Sequence, residues 1–223
     1  VIDTDLRPEG KGGPQVRTVS SYAAYYGKWA SVWERQMLLR GRAGAGDLGL
    51  AQATLDAVDW YRYPDGGLSH DQVVEIRRLK SRMEAERIPK GVQRERHLKL
   101  GPGGLSDVEW TVQLLQLRYA AAHPELRTTS TTKALAALAD LGLVTADQAS
   151  RLGDAWHRAS RLRDALMLAR GRASDALPSD IRELGAVAEL LGYPTRESSI
   201  LLEDTRRLLR RAVEVVEALF WES

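Results

Sequence analysis

Val1-Ile-Asp-Thr-Asp-Leu-Arg-Pro-Glu-Gly10 opens the chain, followed by Lys11-Gly-Gly-Pro-Gln-Val-Arg-Thr-Val19. Asp3 and Asp5 stand at alternate positions in a run containing β-branched residues, so on an extended strand both carboxylates leave the same face. Arg7 continues that face. Pro8, Gly10, Gly12 and Gly13 then turn the chain, and Val16 to Val19 can pair back. This stretch predicts a β-hairpin, whereas everything after it reads as helix. The fold expected is mainly α: an antiparallel helical bundle of six to eight helices behind a hairpin. Residues 1–19 would be the last strands of an incomplete α/β domain, and residues 20–223 a helical domain. The chain opens on Val1 rather than Met, which fits a piece of a longer product.

Downstream, Ser20 or Ser21 is a fitting N-cap for a helix reaching Arg42. Tyr22, Tyr26, Trp29, Trp33, Met37 and Arg40 recur at three- and four-residue spacing, a stripe that places both tryptophans in a core. Leu48 to Tyr61 predicts a second helix, and Asp71 to Arg87 a third, begun by Ser69 or His70 and charged on most faces. Arg94 to Gly104 is a loop. Ser106 and Glu109 have the spacing of a capping box for the next helix, with Val108, Val112, Leu115 and Tyr119 on one face. Lys133 to Leu141 is a short helix ended by Gly142. Thr145 and Gln148 form a second candidate box, opening a helix to about Arg172 with Leu152, Trp156, Ala159, Leu162 and Leu166 inward. Ser179 caps a helix ending at Gly192, and Thr195 caps a last one to Phe220.

The 223 residues suffice for a core. A net charge of +2 says little about partners, because a local patch can differ from the sum. No cysteine is present, which excludes thiolate metal sites and disulfides and suits a cytoplasmic protein. No run of about 18 apolar residues exists, so no membrane span is expected, and no signal-peptide layout opens the chain. The four histidines (His70, His97, His123 and His157) show no metal spacing and read as surface or loop residues. Arg206, Arg207, Arg210 and Arg211 make a basic band offset by Glu203, Asp204, Glu214 and Glu217. No aromatic residue interleaves there, which disfavours nucleic acid as a partner.

The chemistry-bearing candidates are few. Paired acids beside an arginine on a strand are suited to holding Mg²⁺ on nucleotide phosphates, the arginine neutralising charge that develops in phosphoryl transfer. Solvent-facing acids on an exposed strand are commonplace, and by spacing alone they are the better account of Asp3 and Asp5. Glu34 lies beside the tryptophan stripe, and Gln36 and Arg40 are four residues apart. They form either an exposed pair or a polar network bracing the nucleotide strand, with Arg40 as a cofactor-binding candidate. Lys99, with Gly101, Gly103 and Gly104, makes a loop whose amides could receive a phosphate at a helix N-terminus. A structural turn serves that sequence equally well, since a capping box already accounts for the helix start and Asp107 would repel an anion.

The opening stretch, taken with Gly13-Pro-Gln-Val-Arg, resembles the third-carboxylate strand of the glutamine synthetase adenylyltransferases. The likeness continues at Tyr25-Tyr-Gly-Lys-Trp, at Trp33-Glu-Arg-Gln-Met-Leu-Leu-Arg-Gly-Arg, and at Leu98-Lys-Leu-Gly-Pro-Gly-Gly-Leu-Ser-Asp-Val-Glu-Trp with Gln113-Leu-Leu-Gln-Leu-Arg-Tyr behind it. It covers roughly the first half of the chain. The resemblance implies two similar halves in the full enzyme, one attaching AMP from ATP to a tyrosine of glutamine synthetase and one removing it by phosphorolysis. It implies ATP and Mg²⁺ as cofactors of the intact enzyme, and glutamine synthetase and a PII-type signalling protein as partners. Asp3 matches the family's third metal-binding acid. Asp5 falls where relatives often carry arginine, and Arg7 is the phosphate candidate. The family's Gly-Ser element and Asp-x-Asp pair are absent from this chain, so the isolated chain is expected to be inactive. The adenylylating, C-terminal half is the leading assignment. The removing half, or a helical module that binds PII protein or glutamine synthetase, is the alternative.

Overall fold

The computed structural model describes residues 4–194 and 197–222. Asp3, the leading metal candidate, and Thr195, the expected last cap, lie outside the described residues. The chain divides into two compact units. One comprises Val1–Ile76 with Gln113–Ser130, and the other Arg77–Val112 with Thr131–Ser223.

Ten α-helices carry the described residues. The first unit holds α1 (Val19–Lys28), α2 (Val32–Leu38), α3 (Leu48–Asp56) and α4 (Asp59–Arg62), and the start of α5 (His70–Arg87). The second takes the remainder of α5 and the first part of α6 (Leu105–Tyr119). It also holds α7 (Thr131–Asp140), α8 (Ala146–Arg170), α9 (Ile181–Leu190) and α10 (Ser198–Val216), the last continuing into a π-turn over Glu217–Trp221.

The all-helical expectation holds, but the hairpin does not. Among the described residues no strand is present, and the one isolated bridge pairs His97 with Ala176, neither in the opening stretch. Residues Gly10–Gly12 instead form a 3-10 turn. Arg7 explains why. Its guanidinium donates to the carbonyls of Thr4 at 2.7 Å, Gly13 at 3.0 Å and Lys11 at 3.2 Å, acceptors that a ladder across the turn would otherwise draw on. An isolated strand pair is also marginal in water without further strands to cover it.

The single helix expected to reach Arg42 is two helices. Thr18, not Ser20 or Ser21, caps α1 by accepting the Ser21 N–H. The chain breaks at Trp29 and Ala30, and Ser31 starts α2 with Glu34 accepting the Ser31 N–H at 2.9 Å. The break rotates the stripe. Trp29 is 68% exposed and Trp33 39% exposed, so neither belongs to a core. A tyrosine cluster replaces them: Tyr25, Tyr26 and Tyr61 are buried with Leu38 and Val58, and Tyr22 and Met37 pack against them. Tyr26 is the hub, its ring 5.0 Å from Tyr22 and 5.2 Å from both Tyr25 and Tyr61. Burial pushes the Tyr61 hydroxyl up to about 12, and it donates to the Ser31 carbonyl at 2.7 Å.

The second unit is built around α8, which contacts α7, α9 and α10. Thr145 and Gln148 form the expected capping box, with both reciprocal hydrogen bonds in place. Gly171 ends α8 at φ 65°, a left-handed conformation that glycine adopts without Cβ strain. Leu152, Ala159, Leu162 and Leu166 face inward as their spacing predicts, whereas Trp156 is half-buried. Leu162 and Leu166 meet Leu184 and Val187 of α9 and Leu201 of α10 in one apolar cluster. Asp180 rather than Ser179 caps α9, accepting the Glu183 N–H at 2.9 Å. No helix among the described residues is long and apolar enough to cross a membrane.

Candidate functional site

Two places carry the polar chemistry that the sequence singles out, one in each unit. In the first, Asp5 is half-exposed and pairs with Lys11 at 3.4 Å. Arg7, bound to three backbone carbonyls, holds the turn closed rather than presenting its guanidinium to a ligand. Arg17 reaches back to Glu9 and fastens the turn to the start of α1. Arg40 belongs to the same unit and is exposed. Among the described residues no group of three His, Cys, Asp or Glu could hold a metal ion. The described residues therefore do not fit a magnesium site by themselves, because such a site needs several oxygen ligands in one geometry. Asp5 contributes a single carboxylate, already partnered by a lysine.

The polar network around Glu34 is real but differs from the expected one. Glu34 is buried and accepts the Tyr25 hydroxyl at 3.1 Å as well as the Ser31 N–H. Gln36 does not pair with Arg40; its amide donates to Gln113 of α6 at 2.7 Å. These bonds lock α1, α2 and the end of α6 within one unit. Ser31 and Glu34 have the S-x-x-E spacing of a capping box, a legible signal that the continuous aromatic stripe masked.

In the second unit the glycine-rich loop leads into α6. Its amides point inward. Leu100 donates to His97 Nδ1 at 3.0 Å, Gly101 to the His97 carbonyl at 2.7 Å, and Gly103 to Asp107 Oδ2 at 2.6 Å. Gly104, Leu105 and Ser106 donate to the carbonyls of Gly101, Leu98 and Lys99. Every amide from Leu100 to Ser106 is thus committed within the chain (Pro102 has none), and a phosphate cradle of loop amides is ruled out. The glycines have a packing reason instead. A Cβ on Gly103, which sits at φ 69°, would lie 2.1 Å from the Leu209 carbonyl oxygen of α10, and one on Gly101 would lie 2.3 Å from that of Arg94. The helix start differs accordingly: α6 begins at Leu105, and Asp107 rather than a Ser106–Glu109 box receives the loop amide. Lys99 itself is exposed beside this loop, in the second unit, apart in the unit division from Asp5, Arg7 and Arg40.

Asp107 also takes part in an ion cluster that the sequence does not announce. The Lys80 side chain is 1% exposed, and its ammonium pairs with both Glu84 and Asp107. Arg94 completes the cluster by bonding Glu84 at 2.7 Å. The rings of Phe220 and Trp221 lie 5.6 and 5.5 Å from Lys80 Nζ, within cation–π range. Burial raises the Glu84 carboxyl above its ordinary value, and the Lys80 ammonium opposes that rise. A cleft of about 470 Å³ opens beside this cluster, bordered by Arg94, Glu217 and Trp221. Lys80 and Glu84 are one turn apart on a helix charged on most faces, so sequence alone reads them as a solvated pair.

His97 was expected at the surface and is 5% exposed. Burial lowers its basicity below the ordinary 6.5, with Asp175 opposing the change and Lys99 and Arg163 adding to it. The other histidines are exposed or half-buried as expected. In the basic band of α10, Arg207 pairs with Asp204 at 2.7 Å, and Arg211 lies 3.9 Å from Asp147.

These sites define the class of the protein as a helical scaffold, with a stapled N-terminal turn and a glycine loop sealed by close packing. The chain belongs to the family described as GlnD PII-uridylyltransferase, whose model matches residues 75–222. A second model, described as Glutamate-ammonia ligase adenylyltransferase, matches residues 1–57. Nearly the whole chain is similar to proteins named bifunctional glutamine synthetase adenylyltransferase/adenylyl-removing enzyme. The Cutibacterium acnes relative is 54% identical over 221 residues, the Streptomyces avermitilis relative 55% over 221 and the Mycobacterium avium relative 51% over 219. These alignments cover 98–99% of this chain but 22% of each relative, so the chain spans about a fifth of the length of the curated relatives it matches. The resemblance read from the motifs holds.

Proposed function

We propose that this chain is part of an enzyme that transfers AMP from ATP to a tyrosine of glutamine synthetase, and that it belongs to the adenylylating half. The observation that carries the enzyme assignment, though not the choice of half, is the alignment to adenylyltransferase/adenylyl-removing relatives at 54% identity over 99% of the chain. The match of the adenylyltransferase model to residues 1–57, which hold the acidic opening, supports it. Asp3 is the proposed metal-binding acid and Asp5 an accessory one. The proposed role of Arg7 is to hold the turn that follows, its phosphate contact being set aside given its carbonyl partners. Arg40 is the proposed nucleotide-side cation of the same unit. Glutamine synthetase is the proposed macromolecular substrate.

The test uses the longer protein that contains this chain, with Asp3→Asn. AMP incorporation into glutamine synthetase is expected to fall by at least about 100-fold while phosphorolytic removal persists, the scale at which losing a group that stabilises developing charge is felt. Loss of removal with transfer intact would assign the chain to the other half. Loss of neither would overturn the reading of Asp3.

The family description over residues 75–222 favours a second role, docking of a PII-type protein on the helical region. Calorimetric titration of the chain with purified PII protein and, separately, with glutamine synthetase reads this directly.

A further inference from the structure

In the second unit a cleft of about 410 Å³ lies between the end of α5, the loop before α6 and the segment after α8. Met83, Pro89 and Leu100 supply apolar wall, and Arg87, His97 and Lys99 supply the polar groups on which the inference rests. The remaining lining is Ser174, Asp175 and Ala176.

The charges here do not cancel. Among the described residues Asp175 is the one acid lining the cleft, and it is held by Arg163 at 2.6 Å. The Ser174 hydroxyl is likewise occupied, accepting from Arg170 at 2.6 Å. Arg87 and Lys99 are exposed and, among the described residues, neither has a carboxylate partner. His97 is the buried element of the site. Its Nδ1 accepts the Leu100 N–H at 3.0 Å, which fixes the neutral ring as the Nε2–H tautomer and leaves Nε2–H as its one donor. Burial lowers the ring's basicity, and with Nδ1 accepting an N–H the ring offers a hydrogen bond rather than a third charge.

Two unneutralised cations and one fixed N–H donor suit a doubly charged oxyanion. The apolar wall and the volume, which lies within the range of small-molecule pockets, suit an organic body attached to it. A carboxylate would leave one cation unmatched. We propose that this cleft binds a phosphate-monoester ligand, with Arg87 and Lys99 on the phosphoryl oxygens, His97 Nε2–H as a third donor, and the ester's organic group against Met83, Pro89 and Leu100. The loop thus holds phosphate through side chains on its outer face, whereas its amides serve packing. This inference does not depend on the adenylyl-transfer reading, because it uses neither Asp3 nor any residue of the first unit.

The experiment is isothermal titration of the 223-residue chain with phenyl phosphate, inorganic phosphate and benzoate. Phenyl phosphate is expected to bind saturably, at least about tenfold tighter than inorganic phosphate and tighter still than benzoate. Arg87→Gln and Lys99→Gln, both exposed and free to change without disturbing packing, are each expected to weaken phenyl phosphate at least about fivefold with the thermal midpoint retained. His97→Asn, whose Oδ1 can still accept the Leu100 N–H, is expected to weaken it as well. Absence of saturable binding overturns the proposal, as does binding that survives both cation substitutions. Benzoate equal to phenyl phosphate overturns the phosphate assignment. None of these results bears on which reaction Asp3 serves, so the two readings fail separately.

Discussion

Lys80 shows how far a single residue can depart from its reading in the sequence. Lysine is almost never fully buried unless paired, and here the pairing is with two carboxylates at once. A buried ion pair adds little net stability over apolar packing, but removing one partner strands the others in a low-dielectric site. Lys80→Met is therefore expected to cost about 3–5 kcal/mol in urea unfolding. Adding Glu84→Gln should recover part of that loss, because Glu84 is already raised by burial and its remaining partner, Arg94, is half-exposed and can turn to solvent. If the double variant were less stable than the single one, the carboxylates would not be the stranded groups. His97 departs from its surface reading for a related reason. A histidine without metal spacing says nothing about burial until the loop that wraps it is known, and here the Leu100 amide and the bridge to Ala176 provide that wrapping.

At the scale of elements, the legible helices were those whose ends carry side-chain chemistry. The Thr145–Gln148 box and Gly142 placed the start of α8 and the end of α7 closely, since each satisfies or terminates a helix end by a local rule, whereas the stop at Gly171 falls just short of the expected Arg172. The opening hairpin was not legible, because strand pairing depends on partners beyond the local run whereas Arg7 satisfies the carbonyls of its own turn. The tryptophan stripe failed through phase: a break at Trp29 resets the helical register, so periodicity read across it places Trp29 and Trp33 on the wrong side. The glycine loop was legible as a loop but not in purpose. Its sequence fits an anion cradle, whereas the approach of the Leu209 carbonyl makes Gly103 a packing residue. Gly103→Ala is thus expected to destabilise the chain by about 3 kcal/mol or more, through overpacking and a left-handed backbone together. Thr145→Ala, losing one cap, should cost about 1 kcal/mol. Comparable effects from the two, measured in denaturant, would show that α10 yields to the added methyl and that the contact is not tight.

Across the whole chain, the candidate catalytic residues and the helical architecture stand in different relations to the sequence. Helices form from local pattern, so most of them can be drawn from this chain alone. A nucleotidyl-transfer site cannot, because metal-assisted transfer needs several oxygen ligands held around one ion, which no local run of sequence specifies. Among the described residues no such cluster exists, and Asp5 is engaged with Lys11. The chain spans about a fifth of the relatives it matches. The purified 223-residue chain, mixed with ATP, Mg²⁺ and glutamine synthetase, is therefore expected to transfer no AMP above background. Radiolabelled incorporation into glutamine synthetase is the measurement, with the longer protein as the positive reference. Transfer by the chain alone at rates near that reference would mean that the acids it carries suffice and would overturn the proposed need for further ligands. A null result gains force if the same preparation unfolds cooperatively in denaturant, since inactivity then does not come from a failure to fold.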